Sequence, residues 1–440
     1  MTFAPHLFAN VGLLTFDEFH LLGVDRPATD DIKAKVDRRG IDAMLCLLLF
    51  QATNADADYL LLSAMVSNGP QVASWLSALI GRPVIPFDYK WKPTRQLRSC
   101  VLYDRADLQV QRRAINFPPR SNTPTAIPHG LFSLSSGWNP QAPDKLLVRP
   151  FASAPLTLGL GRKGIRRWLT ANRYQVAASI AKQFAAGGLK VVVFCESVVT
   201  CGSVAKSLNE SNEPFASTRQ PNQDQWRNDA VAELGRSEAI YDVGTNIAAV
   251  HHGELLPTER RLVETMFKRR DSGVNVLAAT STLAQGLNLP CDVVIIASSD
   301  RLDDNDAEEK ARIPLMPHEI LNALGRAGRA GQAATGFSIV IPGNPLGCDM
   351  QTKAVDYDGD VKVIFAEGDQ CLPLEDPLAT LFDQIEVNGS LNTEADYLLR
   401  RLAISVGEER EWRLVRAEVL RSPLPNDQHP FHGGPDGYLP

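Results

Sequence analysis

The sequence predicts an α/β protein whose parallel sheets carry helices on both faces. Short apolar runs such as Val191–Phe194 and Val274–Ala278 alternate along the chain with amphipathic segments. This alternation is typical of parallel α/β folds, whose strands are buried on both faces. Hydrophobic residues make up 44% of the chain, which is enough for sizeable cores. A length of 440 residues provides for two to three domains.

Changes in the pattern divide the chain into four parts, in order: residues 1–90, 91–150, 151–345 and 346–440. The first part predicts strands at Val11–Phe16 and Tyr59–Leu62 and buried helices at Ile41–Phe50 and Val72–Leu79. The second is rich in Pro, Ser, Asn and Arg, which is typical of a connector with an insertion. The third alternates strands and helices throughout, and the fourth predicts an extension with a hairpin and helices.

Composition limits the functional classes. The net charge of −6 gives no global attraction to nucleic acid, so any such binding must be local. Seven cysteines lie scattered without a Cys-x-x-Cys pair, which favours a reducing, cytoplasmic compartment and disfavours a zinc site. The longest apolar run, Ala43–Phe50, is too short to span a bilayer, and the first residues lack a signal-peptide pattern.

The segment Asn322–Arg329 places two arginines between glycines at a spacing of three. Arginine can stabilise the charge on a transferring phosphoryl group, and the glycines let the backbone approach a partner closely. The preceding residues, Pro317–Leu324, predict a short helix that delivers these arginines. The alternative is a surface helix whose end carries a glycine cap and basic residues near the helix dipole.

Two carboxylates, Asp17 and Glu18, follow the predicted strand Val11–Phe16. The carboxyl end of a parallel strand faces the crevice in which α/β sheets bind ligands. There Asp17 can hold Mg²⁺ through water, and Glu18 can orient or deprotonate an attacking water. Taken alone, the pair is more typical of a solvated loop.

Four motifs occur in order, and together they resemble those of the superfamily-two DNA/RNA helicases, closest to the Ski2-like branch of the DEAD/DEAH-box enzymes. They are Asp17-Glu18-Phe19-His20 (DExH box), Ser63-Ala64-Met65 (SAT motif), the segment Thr280–Pro290, and Gly325–Arg329 (GRAGR motif). The strand and turn at Val191–Ser197 and the segment beginning His251-His252-Gly253 fit the same family. Met65 departs from the threonine that is usual there, and Asn322 from the usual glutamine.

This resemblance implies a partial RecA-like domain, a complete RecA-like domain, and ATP-dependent translocation on, or unwinding of, DNA or RNA with ATP and Mg²⁺ as cofactors. Ser63 would couple the DExH box to nucleic-acid binding, and Asp17 would hold the metal. The implied catalytic residues are Asp17, Glu18, His20, Arg326 and Arg329. The implied nucleotide-binding residues are Gly286, Asn288, Asn322 and Gly325. The implied nucleic-acid-binding residues are Thr280, Ser281, His252 and Gly253.

One feature of these helicases is missing from the sequence. They carry G-x-x-x-x-G-K-[ST], whose amides and lysine hold the phosphates of ATP. This chain contains no Gly-Lys dipeptide, and only sixteen residues precede Asp17. We therefore expect a C-terminal portion that is inactive alone, either truncated or completed by a separate N-terminal chain. The alternative is a non-catalytic subunit that binds nucleic acid or a partner.

Two other motifs are weaker. Gly159–Gly164 matches G-x-G-x-x-G, but the acidic residue that a dinucleotide site needs about twenty positions later is missing. Its basic residues predict a solvated helix start, with a phosphate contact as the alternative: Arg162, Lys163, Arg166 and Arg167. Asp356–Asp360 imitates a calcium loop, but its glycine occupies the fourth position rather than the sixth, which favours a β-hairpin.

Overall fold

The computed structural model describes residues 5–23, 38–63, 66–87, 95–116, 123–135, 147–163, 166–210, 219–235, 247–280, 289, 291–297, 300–302, 312–314, 317–328, 335–352, 354–356 and 374. The chain divides into two compact units, one formed by Met1–Tyr89 with Gly368–Pro440 and the other by Lys90–Glu367. No helix in the described ranges is long and apolar enough to cross a membrane.

The first unit contains a pair of parallel strands and two helices, as the sequence predicts. They are β1 (Leu13–Asp17), α1 (Arg38–Thr53), β2 (Asp58–Leu62) and α2 (Gly69–Ile80), with 3-10 helices at Pro5–Leu7 and Phe19–Leu22. The strands pair in step from Leu13 opposite Asp58 to Asp17 opposite Leu62. Their carboxyl ends therefore meet at one edge, which brings the residues after Asp17 and Leu62 together.

The two faces of this strand pair differ in burial. Leu14, Phe16, Tyr59 and Leu61 pack against a core that α1 and α2 provide. On the opposite face, Leu13, Leu60 and Leu62 stay 51%, 44% and 42% exposed. Beyond this pair, Asn68 holds Leu374 through both backbone groups: its Oδ1 accepts from the Leu374 N–H at 2.8 Å, and its Nδ2 donates to the Leu374 carbonyl at 3.2 Å.

The second unit is built on a large, mostly parallel sheet. Its strands are β3 (Arg95–Asp104), β5 (His129–Ser135), β6 (Leu147–Pro150), β10 (Val191–Cys195), β11 (Ala248–His251), β12 (Val276–Thr280), β13 (Val293–Ile296), β16 (Thr335–Val340) and β17 (Gly347–Cys348). Among the described strands the order is β11-β12-β10-β13-β16-β3-β5-β6, with β17 against β3. Pairing is parallel from β11 to β3, and antiparallel between β3 and β5 and between β5 and β6.

Helices and short strand pairs complete this unit. The helices are α3 (Arg105–Asn116), α4 (Arg173–Ala186), α5 (Val198–Glu210), α6 (Pro221–Leu234), α7 (Pro257–Lys268) and α8 (Pro317–Leu324). The remaining strands are β4 (Thr125–Ala126), β7 (Leu156–Thr157), β8 (Gly159–Lys163), β9 (Arg166–Thr170), β14 (Asp300–Leu302) and β15 (Arg312–Pro314). They form the antiparallel pairs β4–β7, β8–β9 and β14–β15.

The core of this unit confirms the α/β prediction. All five residues of β10 are buried, as are all four residues of β11 and of β13. The apolar faces of α4 and α5 pack against these strands through small and branched side chains, among them Ala177, Ala181 and Val204. Continuous apolar strands covered by helices are what the Val/Ile/Leu runs predict.

The structure differs from the expected connector at residues 91–150. Strand β3 from this segment pairs with β16 and lies inside the main sheet, and β5 and β6 extend that sheet further. Three buried polar side chains, Gln96, Arg98 and Ser99, interrupt the apolar pattern of β3 and hide the strand from sequence analysis. The outer boundaries of the four parts stay a prediction.

The basic motif Gly159–Gly164 also differs from its prediction. Its described residues form β8, which turns back into β9 as a hairpin and does not start a helix. The next helix, α4, begins only at Arg173. The hairpin predicted after Thr352 and the helices of the C-terminal extension fall largely outside the described residues.

Candidate functional site

The predicted DExH-box carboxylates lie at the carboxyl end of β1. Asp17 ends this strand and is exposed, and its Oδ1 accepts a hydrogen bond from the Glu18 backbone N–H at 2.9 Å. Glu18 takes a left-handed backbone conformation, φ 54° and ψ 44°, which is uncommon for a residue with a side chain. Such conformations cluster at functional sites. The two carboxylates thus lie where β1 ends and the chain enters the 3-10 helix Phe19–Leu22.

His20 joins the DExH box to the predicted SAT motif. Its ring is buried, and its Nδ1 lies 3.2 Å from the Ser63 Oγ and 3.4 Å from the Glu18 Oε2. Ser63 follows β2 directly, so the parallel pairing of β1 and β2 places the two motifs side by side. A shift of the Ser63 hydroxyl would therefore move the His20 ring, which also contacts the Glu18 carboxylate.

The carboxylates also fit the predicted role toward Mg²⁺. Asp17 is exposed at the strand end, where a cation held by nucleotide phosphates could be contacted through water. The described residues contain no group of three or more His, Cys, Asp or Glu side chains that could hold a metal ion.

The predicted nucleic-acid-binding residues lie at the carboxyl edge of the sheet in the second unit. Strand β11 ends at His251 and β12 at Thr280, and His251 pairs with Ala279 in register. His252 and Thr280 therefore leave adjacent strands at the same edge. The buried His251 ring is fixed from α7, since its Nε2 lies 3.0 Å from the Glu264 Oε1.

The same edge carries further polar groups. Glu196 follows β10, and its Oε2 lies 3.2 Å from the Arg173 Nη2 at the start of α4, in a pair whose side chains are about nine-tenths buried. The imidazole of His252 is partly buried, and this burial lowers its pKa. A neutral His252 together with the exposed backbone of Gly253 offers hydrogen bonds rather than net charge to a ligand at this edge.

Arg326 lies in a turn that directly follows α8. The Arg326 N–H donates to the Ala323 carbonyl at 3.2 Å, and the Arg326 carbonyl accepts from the Cys291 Sγ at 3.1 Å. Cys291 also forms a β-bridge with Ala327, and its carbonyl accepts from the Gly328 N–H at 3.1 Å. The turn is therefore fastened to the start of β13. Asn322 is half-buried on α8, and Gly325 is exposed.

Two further strands support this turn, and sequence reasoning missed their contribution. The carbonyl of Leu324, the last residue of α8, accepts from the Ser338 Oγ of β16 at 3.1 Å and from the Gln96 Nε2 of β3. The Gln96 Oε1 in turn accepts from the Arg98 Nε at 3.0 Å. Gly336 lies so close to the turn that a Cβ there would overlap the backbone of Ala327.

In this unit the predicted nucleic-acid-binding residues and the predicted catalytic arginine lie at opposite edges of the sheet. Thr280 and His252 lie at the carboxyl edge, whereas the Arg326 turn is bridged to Cys291, ahead of β13. The segment that joins the edges contains Ser281, Gly286 and Asn288. These three residues and Arg329 lie outside the described part of the chain, so their roles stay predictions.

Comparison with known proteins agrees with this arrangement. The helicase conserved C-terminal domain family matches residues 177–331. The antiviral helicase SKI2 of Saccharomyces cerevisiae is 44% identical over 96 residues, which cover 22% of this chain and 7% of that helicase. The ATP-dependent DNA helicase Hel308 of Methanocella arvoryzae is 26% identical over 339 residues, covering 76% of this chain and 35% of Hel308.

A third relative is the chloroplastic DExH-box ATP-dependent RNA helicase DExH15 of Arabidopsis thaliana, 36% identical over 113 residues that cover 26% of this chain and 9% of that helicase. The chain thus spans about a third or less of the length of these relatives. The family match contains β10 to β13, α8 and the Arg326 turn, and these elements form the RecA-like part of the second unit. The chain is therefore similar to the superfamily-two DExH helicases, and residues 177–331 match their conserved C-terminal domain.

Proposed function

We propose that this chain supplies the DExH box and the second RecA-like domain of an ATP-dependent helicase or translocase that acts on single strands of DNA or RNA. The observation that carries the proposal is the contact of His20 with both Glu18 and Ser63. It joins the carboxylate that would activate water to the motif that would sense nucleic acid. The alternative for Asp17 and Glu18, a solvated loop, does not account for the burial of the His20 ring.

The proposed roles follow from the chemistry of each group. Asp17 holds the Mg²⁺ of ATP through water, and Glu18 orients or deprotonates the attacking water. Arg326 and Arg329 stabilise charge on the γ-phosphate in the transition state. Thr280 and Ser281, with His252 and Gly253, contact the phosphates of the nucleic-acid backbone, which carry no sequence information.

The proposal includes a partner segment. Because the 440 residues contain no Gly-Lys dipeptide, the phosphate-binding loop comes from a RecA-like segment in a separate N-terminal chain or in a longer form of this one. The exposed leucines of the β1–β2 face, 42–51% exposed, offer apolar surface on which such a segment would pack. All six cysteines in the described ranges are free, which supports a reducing, cytoplasmic location.

A second candidate is a non-catalytic subunit that binds nucleic acid without hydrolysing ATP. The missing Gly-Lys dipeptide favours it, since the β- and γ-phosphates would lack their usual lysine. The two candidates differ in one outcome: only the helicase gains ATPase activity when a phosphate loop is supplied.

The test is therefore a reconstitution. A RecA-like segment carrying G-x-x-x-x-G-K-[ST] is fused ahead of the chain or added as a second chain, and ATP hydrolysis is measured with and without single-stranded nucleic acid. We expect stimulated hydrolysis, and we expect Arg326→Ala to lower turnover by roughly a thousandfold or more, as for other arginine fingers. Glu18→Gln should abolish hydrolysis and leave ATP binding intact, because it removes the base and not the metal site.

Arg113→Ala on the exposed side of α3 is the matched control for Arg326→Ala, and it should keep full turnover. Vigorous ATPase activity of the 440-residue chain alone would show that no further phosphate loop is needed. Failure of every reconstituted form to hydrolyse ATP, with nucleic-acid binding retained, would favour the non-catalytic subunit.

A further inference from the structure

The β8–β9 hairpin lies in a strongly basic stretch of an acidic protein. Residues 145–195 contain nine lysines and arginines and no aspartate or glutamate, although the whole chain has a net charge of −6. Four of these nine basic residues belong to the hairpin itself: Arg162, Lys163, Arg166 and Arg167. Attraction to a polyanion, which the net charge of the whole chain disfavours, is therefore concentrated in this short element.

The backbone register sets like charges opposite each other. Arg162 pairs with Arg167 and Lys163 with Arg166 across the two strands. Like charges directly opposite in an antiparallel pair destabilise it. Arg162 and Arg167 are exposed, so a row of phosphates bound at this surface would lower the repulsion between them.

The hairpin also presents an aromatic surface. The indole of Trp168 lies across the backbone of Gly161, directly opposite in the register, where a Cβ would overlap its ring atoms. The side chain is nevertheless 43% exposed. Its neighbour Leu169 is buried in the main core, and this contact anchors the hairpin. An indole with a supported inner surface and a free outer surface is suited to stacking with a base.

Connectivity places the hairpin at the edge that already carries the candidate nucleic-acid contacts. Strand β9 ends at Thr170, and α4 begins three residues later at Arg173, whose side chain binds Glu196 at the carboxyl end of β10. The link is held by Asn172, whose Nδ2 donates to the Thr157 carbonyl at 2.8 Å. The hairpin therefore leads directly into the carboxyl edge of the sheet, at which β12 ends with Thr280.

We propose that the β8–β9 hairpin is a second contact surface for single-stranded nucleic acid, in which Trp168 stacks on a base and the basic residues of the hairpin hold the flanking phosphates. The proposal rests on the nucleic-acid binding proposed above, and it extends the path of the bound nucleic acid from Thr280, at the end of β12, onto the hairpin. Lys163 and Arg166 lie two register positions from Gly161 and Trp168, so one strand of nucleic acid can meet both kinds of contact.

The test measures binding of the intact chain to fluorescein-labelled dT20 and rU20 by anisotropy over a range of salt concentrations. We expect Trp168→Ala to weaken binding about 5- to 150-fold, the range for loss of one base stack, and Trp168→Phe to retain most of the affinity. We expect Lys163→Gln with Arg166→Gln to lower the slope of log K against log salt by about 1.4, because single strands lose about 0.7 per phosphate contact. The dT20 and rU20 arms report whether DNA or RNA is preferred.

Lys206→Gln with Lys268→Gln is the matched charge control, since both lysines are exposed on helices away from the hairpin, and it should leave the slope unchanged. The lysine–arginine pair lies at the hairpin tip, so its variant tests the proposal even if Trp168→Ala perturbs folding. Wild-type affinity and slope in both hairpin variants would overturn the proposal and favour an acidic protein as the ligand of this surface.

Thr280→Val separates this proposal from the proposed function. If Thr280→Val weakens binding and the hairpin variants do not, the hairpin surface is refuted and the strand-end role is supported. If only the hairpin variants weaken binding, the hairpin surface is supported and the role of Thr280 is refuted. If the wild-type chain binds neither oligonucleotide, both proposals are wrong.

Discussion

Replacing Gln96 by leucine tests how the Arg326 turn is held in place. The Gln96 side chain is 4% exposed. Its Nε2 donates to the carbonyl of Leu324 at the end of α8, and its Oε1 accepts from the Arg98 Nε at 3.0 Å. Leucine fills a similar volume but can do neither. The substitution therefore removes the link between β3 and the residues that lead into Arg326, and it leaves the α8 sequence unchanged.

The magnitude follows from the two hydrogen bonds lost. A neutral hydrogen bond contributes about 1 kcal/mol and one to a charged group about 1.5–3 kcal/mol, so their removal should cost roughly 2–4 kcal/mol. Arg98 is also buried, and burial already lowers its pKa to about 10. Loss of the hydrogen bond to Gln96 would therefore further destabilise the charged guanidinium. The Leu324 carbonyl keeps its bonds from Ser338 and Ala327, which limits the cost.

Unfolding and hydrogen exchange measure the two consequences. We expect the free energy of unfolding to fall by the stated amount, with a melting temperature lower by roughly 5–15 °C for a unit of this size. The amides of Ala327 and Gly328 should exchange faster, because their turn has lost one of its supports. Gln109→Leu, on the exposed side of α3, is the control. Equal stability of the two variants, with unchanged exchange at Ala327 and Gly328, would refute the support role of Gln96.

Two further predictions follow. The Lys190 ammonium is buried, and burial together with nearby Arg270 lowers its pKa to about 8 although two backbone carbonyls accept from its Nζ. Between about pH 8 and 10.4 the unfolded chain thus binds more protons at Lys190 than the folded chain does, so the contribution of this site to stability rises with pH. In urea titrations at several pH values, Lys190→Met should remove that rise, whereas Lys268→Met should keep it. Identical dependence of stability on pH in the wild type and Lys190→Met would contradict the assignment. In the reconstituted enzyme, Ser63→Ala should keep basal ATP hydrolysis and lose most of its stimulation by nucleic acid, because the Ser63 Oγ contacts His20 at 3.2 Å; full stimulation would argue against coupling through Ser63.

Sequence patterns predicted the central elements closely where local and tertiary preferences agree. The run Val191–Cys195 is apolar throughout and is a fully buried strand. The predicted helix Ile41–Phe50 lies within α1, and the predicted strand Tyr59–Leu62 forms most of β2. In each case the local apolar pattern and the tertiary packing favour the same element.

The prediction failed where pairing is nonlocal or where a turn overrides composition. Strand β3 pairs with β16, a partner about 240 residues later in the sequence, and no local pattern reports such a pairing. The basic residues Arg162, Lys163, Arg166 and Arg167 were predicted to mark a solvated helix start. There the burial of Leu169 and the packing of Trp168 on Gly161 favour a hairpin, and neither contact can be read from the order of residues.

The candidate site was predicted in part for a related reason. Glu18, His20 and Ser63 were chosen from separate motifs, and the parallel pairing of β1 and β2 brings them within hydrogen-bond distance. Motif residues can be found from sequence because the chemistry restricts their type. The residues that support a motif cannot be found in this way, since their requirement is only a buried polar group at the right position.

Strand β3 is both a strand that sequence analysis missed and a support of the Arg326 turn that it missed. Its polar residues Gln96 and Arg98 made the segment resemble a connector, and the same residues hold the carbonyl that ends α8. Buried polar side chains weaken a strand unless every group is satisfied, and they also break the apolar pattern by which a buried strand is recognised in a sequence. Violations of local sequence rules are expected where function imposes a second requirement. Here Gln96, held by Arg98, supports the turn that carries Arg326, and these same two residues concealed the strand.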